Sequence, residues 1–142
     1  MRYSVNELHK FPIWTALITP FFEDGRIDFE TLEQLVMTQS KAGNGLLLLG
    51  STGEGLNIPL EQKKAIISFC TRLDIKVTIM VGLGGFLLEE QLHFMHHCDG
   101  EGVDAFLLVT PIYAEPKEEG QMAWLSDLLT AHQTPRMLYN VP

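Results

Sequence analysis

Leu46-Leu47-Leu48-Leu49-Gly50-Ser51-Thr52-Gly53-Glu54-Gly55 is the stretch that decides how this chain folds. Four consecutive leucines show no alternation, so a strand there is apolar on both faces, as in a parallel sheet covered by helices. The next six residues are glycines, hydroxyls and one carboxylate, the composition of a loop. Strand, glycine-rich turn and then helix is the unit of an α/β protein.

The same unit recurs on both sides. Upstream, residues 13–19 form an apolar run closed by Thr19-Pro20, read as the first strand. Asp24-Gly25 is a turn, and Asp28 is placed to cap a helix with Leu32, Leu35 and Val36 on one face. Glycines in Lys41-Ala42-Gly43-Asn44-Gly45 end that helix. Downstream, Pro59 fits the first turn of a helix that turns Ile66, Ile67, Cys70 and Leu73 inward. Residues 77–81 read as the third strand, followed by Gly82-Leu83-Gly84-Gly85 and a helix carrying Leu88, Leu92 and Met95. Residues 104–109 are the fourth strand, ending at Thr110-Pro111. Residues 118–131 are the fourth helix, with Trp124, Leu125 and Leu128 as core candidates, and residues 136–140 are the fifth strand. Two parallel architectures satisfy this order: an open doubly wound sheet, which 142 residues would complete, or the first part of a (β/α)₈ barrel, which takes about 250 residues.

Composition narrows the function. Apolar residues at 46% and charged residues at 20% suit one domain with a sizeable core. A formal net charge of -8 argues against a nucleic-acid surface, which needs a basic patch. No apolar run approaches the roughly 20 residues of a membrane span, and residues 1–10 lack the apolar core of a signal peptide. Cys70 and Cys98 lie in helical patterns without CxxC spacing and read as two reduced, buried thiols. The expected location is the cytoplasm, with no nucleic-acid and no membrane partner.

In both architectures the working residues sit at the C-terminal ends of strands. Those ends carry Thr19-Pro20, Gly50-Ser51-Thr52-Gly53-Glu54, Gly82-Leu83-Gly84, Thr110-Pro111-Ile112-Tyr113 and Tyr139-Asn140. Hydroxyls and glycine amides with a single carboxylate and no histidine suit a small carboxylate ligand and proton relay, not a metal. A plain loop or a core tyrosine would explain each motif taken singly. The glycine spacing is neither GxGxxG nor GxxxxGK[ST], so nothing points to a nucleotide cofactor. His93, His96 and His97 lack a third ligand and read as a partly exposed helix face.

Taken together, Ala16-Leu17-Ile18-Thr19-Pro20-Phe21, Gly50-Ser51-Thr52-Gly53-Glu54, Thr110-Pro111-Ile112-Tyr113-Ala114-Glu115-Pro116 and Tyr139-Asn140-Val141-Pro142 resemble the dihydrodipicolinate synthase / N-acetylneuraminate lyase family. The resemblance runs from about Pro12 to Pro142. It implies the N-terminal portion of a (β/α)₈ barrel, strands one to five and helices one to four, as half of a single domain. It also implies aldolase-type chemistry through a Schiff base between pyruvate and a lysine, with no cofactor and no metal. By residue, it implies that Tyr139 relays protons, that Ser51 hydrogen-bonds Tyr139, and that Thr52 with the Gly53 backbone holds the pyruvate carboxylate. Tyr113 would reach into a neighbouring subunit's site, which implies a homodimer or homotetramer. Tyr139-Asn140-Val141-Pro142 and the Tyr113 to Pro116 spacing lean to members that condense pyruvate with aspartate semialdehyde; Ser51 leans to the sialic acid lyases.

The departures are specific. The family's Schiff-base lysine lies on a sixth strand, after Pro142, and the arginine that binds the second substrate also follows the Tyr139-Asn140-Val141-Pro142 motif. None of Lys10, Lys41, Lys63, Lys64, Lys76 and Lys117 falls at a strand's C-terminal end, and all read as surface residues. The 142 residues alone are therefore expected to be inactive, with Leu47 and Leu49 exposed on the open interior. Gly55 stands where synthases commonly carry serine. Ile112, Leu60 and Lys63 stand where lysine-inhibited members carry a tyrosine and histidines, so feedback by lysine is expected to be weak or absent. A non-catalytic half barrel binding a small carboxylate, and a complete flavodoxin-like module, are the competing readings.

Overall fold

A computed structural model describes residues 5–111, 114 and 116–140. The elements run α1 (Val5–Leu8), β1 (Trp14–Ala16), α2 (Phe29–Ala42), β2 (Gly45–Leu48), α3 (Leu60–Arg72), β3 (Ile79–Leu83), α4 (Leu88–Glu101), β4 (Ala105–Leu108), α5 (Glu118–Thr130) and β5 (Arg136–Leu138). The short helix α1 has no counterpart in the sequence pattern.

All five strands are parallel and lie in sequence order, β1-β2-β3-β4-β5. An open doubly wound sheet reverses direction at a switch point; this sheet does not. Each crossover advances the same way, and successive helices pack on each other, α2 on α3, α3 on α4 and α4 on α5. The flavodoxin-like alternative is thereby excluded, and the architecture is the first five strands of a barrel.

The core lies between sheet and helices. Leu46 and Leu48, Ile79 and Val81, and Phe106 and Leu108 point alternately to the helical side and are buried there with Val36, Ile66, Ile67, Met95 and Leu128. Full burial of side chains this size contributes about 1.5–3 kcal/mol each. Trp124 and Leu125 join this core only in part. The helix α2 is capped as its sequence requires. Asp28 accepts from Thr31 Oγ1 at 2.7 Å and Thr31 N at 3.0 Å, bonds that hold its carboxyl below the usual range. Gly43 ends α2 at φ 75°, the left-handed conformation a C-cap favours.

Several expectations need correction. The strand β3 begins and ends two residues later than the apolar run suggests, because Gly82 and Leu83 pair with Leu107 and Leu108. Pro59 is the N-cap of α3 rather than a first-turn residue. Leu47 is half-buried rather than exposed, and Leu49 is buried. The strand ends at Leu48, Leu49 turns to φ 58°, and its side chain is buried. Lys63 is not a surface lysine either; it is 8% exposed on α3, so burial pushes its ammonium pKa down. Cys70 and Cys98 are free and buried, as expected.

Candidate active site

The C-terminal ends of the strands surround an open cavity of about 520 Å³ on the sheet face away from the helices. Its floor is apolar. Ala16, Leu47 and Leu107 come from alternate strand positions, with Leu49, Leu83 and Val109 at strand ends. Its polar groups are the hydroxyls of Ser51, Thr52 and Tyr139 and the backbone around Gly50, Gly82 and Gly84.

The loop that delivers Ser51 and Thr52 is tightly wound. Gly55 N donates to Gly50 O at 3.1 Å, Glu54 N to Ser51 O at 3.1 Å and Asn57 N to Glu54 O at 2.8 Å. Leu49 and Glu54 both have positive φ, 58° and 54°, which is uncommon for residues with a Cβ. A Cβ on Gly55 would lie 1.9 Å from the Leu49 carbonyl oxygen, so this winding needs glycine there. Serine, the residue the family resemblance suggests at this position, does not fit this loop.

Ser51 and Thr52 are exposed on the cavity side, and neither hydroxyl bonds to another described residue. Among the described residues, the N–H groups of Thr52 and Gly53 also make no backbone hydrogen bond. A cluster of unengaged donors on a constrained loop is what a small anion requires. Gly53 itself does not line the cavity; it is buried, and its carbonyl accepts from Thr19 Oγ1 at 2.7 Å.

Tyr139 enters from the far edge. Its N–H donates to Leu108 O at 2.8 Å, continuing the β4–β5 ladder by one residue, and its side chain is 54% exposed. The structure thus brings Ser51, Thr52 and Tyr139 to one cavity, although no hydrogen bond joins Ser51 to Tyr139 there. Tyr113 and Ile112 lie outside the described residues. Glu54, the carboxylate of the strand-end set, is exposed and does not line the cavity.

No lysine lines the cavity among the described residues. Lys76 precedes β3 and Lys117 caps α5, both as the sequence places them. His96 and His97 are engaged elsewhere. His97 Nε2 lies 3.3 Å from both Ser68 Oγ and the Lys64 carbonyl, and the His96 ring lies 5.8 Å from that of His132. Among the described residues no group of three His, Cys, Asp or Glu could hold a metal, and no helix is long and apolar enough to cross a membrane. Sequence reasoning gave no part to Leu56, which lines the cavity as a lone loop leucine without periodicity. Thr19 stood among the strand-end hydroxyls in the sequence, but without a role of its own.

A parallel sheet in sequence order, with an apolar floor and hydroxyls at its strand ends, is the first part of a (β/α) barrel with a cavity at its C-terminal face. Residues 11–142 match the Dihydrodipicolinate synthetase family, and the chain belongs to it. It is 48% identical over 128 residues to the 4-hydroxy-tetrahydrodipicolinate synthase of Chlamydia pneumoniae, an alignment that covers 90% of this chain and 44% of the relative. The dihydrodipicolinate synthase structure from Aquifex aeolicus superposes with a TM-score of 0.86 at 30% identity, covering 92% of this chain and 45% of that one. YagE of E. coli K12, a family member solved in complex with pyruvate, superposes with a TM-score of 0.87 at 30% identity, covering 92% and 44%. The chain spans somewhat under half the length of the relatives it matches.

Proposed function

We propose that these residues form the carboxylate-binding and proton-relay wall of a class I aldolase-type lyase. The reaction is the condensation of pyruvate with L-aspartate 4-semialdehyde through a lysine Schiff base, on the route to lysine and diaminopimelate. The observation that carries this reading is the convergence of Ser51, Thr52 and Tyr139 on one apolar-floored cavity. A 2-keto acid has an anionic end and a carbonyl. Thr52, through its hydroxyl and its own N–H group, holds the anionic end by charge-assisted hydrogen bonds. Tyr139 moves protons at the carbonyl, with Ser51 as its partner in the relay.

The Schiff-base lysine is supplied from outside residues 1–142. A nucleophilic lysine must sit desolvated at the reacting carbonyl, and none of the six here does so. The working assembly is a homodimer or homotetramer, with Tyr113 contributed across subunits. Lysine inhibits it weakly or not at all.

The test is borohydride trapping with pyruvate on the protein as its gene encodes it. A mass increase on a lysine outside residues 1–142 supports the reading; no adduct, or one on any of the six lysines here, overturns it. In the untreated enzyme, Tyr139→Phe lowers kcat about 10²–10⁴-fold. A second reading, a lyase acting on sugar-derived aldehydes, is favoured by Ser51 and would show as turnover with such an aldehyde and none with aspartate semialdehyde.

A further inference from the structure

The geometry points to Thr19 as a positioning residue for the carboxylate-binding loop: by holding Gly53 it sets where the Thr52 donors stand, without touching the substrate. This rests on the proposed role of Ser51-Thr52-Gly53.

Three observations support it. Thr19 is 8% exposed, and its hydroxyl donates to the Gly53 carbonyl at 2.7 Å across 34 residues of sequence. A buried bond of this length between separate strand ends is a tether, and its loss leaves a buried carbonyl unsatisfied. Thr19 is itself anchored. The turn after it is closed by the Phe21–Ile27 bridge, and Asp28 N donates to Pro20 O at 3.0 Å. Finally, the loop is held in an uncommon winding, with Leu49 and Glu54 at positive φ. Such conformations persist where surrounding structure over-determines them. Thr19 Oγ1 is the side-chain hydrogen bond made to this loop among the described residues; the loop's other bonds there are internal.

The bond turns the Gly53 carbonyl toward β1 and away from the ligand. An anion at the Thr52 N–H and hydroxyl would be repelled by a carbonyl swung into the cavity. The tether therefore acts on ground-state binding of the carboxylate more than on the chemical step, a distinction kinetics can read.

The experiment uses the protein as its gene encodes it, with pyruvate as the probe. Thr19→Val removes the hydroxyl at nearly constant shape, and Thr19→Ser keeps it. The expected result is a pyruvate KM raised about 10-fold or more in Thr19→Val with kcat within about 3-fold, and a KM within about 2-fold of wild type in Thr19→Ser. An unchanged KM in Thr19→Val, or an equal KM rise in both variants, overturns the positioning role. A kcat loss with unchanged KM does so as well. If Thr19→Val does not fold, Thr19→Ala is read by the same criteria. Wild-type protein that forms no borohydride-trapped pyruvate adduct overturns the functional reading itself, and the two failures are thereby separate.

Discussion

Trp124 Nε1 donates a hydrogen bond to the Val109 carbonyl at 3.1 Å, tying the middle of α5 to the end of β4. Val109 lines the cavity, so a side chain on the outer helix is bonded to the backbone of the site's wall. Trp124 is thus core in part and tether in part. Trp124→Phe keeps much of the apolar contact and loses the bond. Urea unfolding should show a loss of about 1 kcal/mol; an unchanged midpoint would show that water replaces the indole without cost.

Gly55→Ser introduces the residue the family resemblance leads one to expect. With the Leu49 oxygen 1.9 Å from the new Cβ, the loop has to shift. Overpacking against backbone costs about 1–3 kcal/mol. The variant should unfold at lower urea and bind pyruvate more weakly. If stability and pyruvate affinity both match wild type, the winding described for residues 49–55 is wrong.

Burial pushes the Cys70 thiol up to about 12 and raises that of Cys98 as well, where Asp99 adds a smaller push. At pH 8 neither is a thiolate, and neither is open to solvent. Ellman's reagent should find both unreactive in native protein and both reactive in 6 M guanidinium. Rapid labelling of either one in the native state would contradict the packing of α3 against α4.

Lys63 carries a pH dependence. Burial lowers its ammonium pKa from 10.5, against a smaller raising pull from Glu90. Between the lowered folded value and 10.5 the unfolded chain binds more protons, so stability rises with pH in that window. Below it the penalty for burying the charge is fully present and constant. Lys63→Met should raise the urea midpoint at pH 7 and remove the rise toward pH 10. A midpoint that falls on substitution would mean the Glu90 attraction outweighs desolvation.

Much of the architecture was legible in the chain because it is written in local chemistry. Asp28 and Gly43 mark a helix by a side-chain acceptor and a left-handed turn, and the run Leu46 to Leu49 marks a strand buried on both faces. These depend on residues within one turn of each other. Strand limits were less legible, since pairing partners decide them. Gly82 and Leu83 belong to β3 only because Leu107 and Leu108 lie alongside.

By itself the sequence determined the parallel α/β class, the candidate hydroxyls Ser51, Thr52 and Tyr139, and the family. The tertiary structure showed directly that successive strands add in one direction, the barrel order that the family resemblance implied. It alone decided that Leu49 turns inward and that Lys63 is buried. The bond between Thr19 and Gly53 belongs to the same class, joining residues 34 apart whose types mark them only as turn formers. The physical reason is the same in each case. Burial, register and long-range hydrogen bonds are properties of the neighbours a residue meets, and those neighbours are distant in sequence.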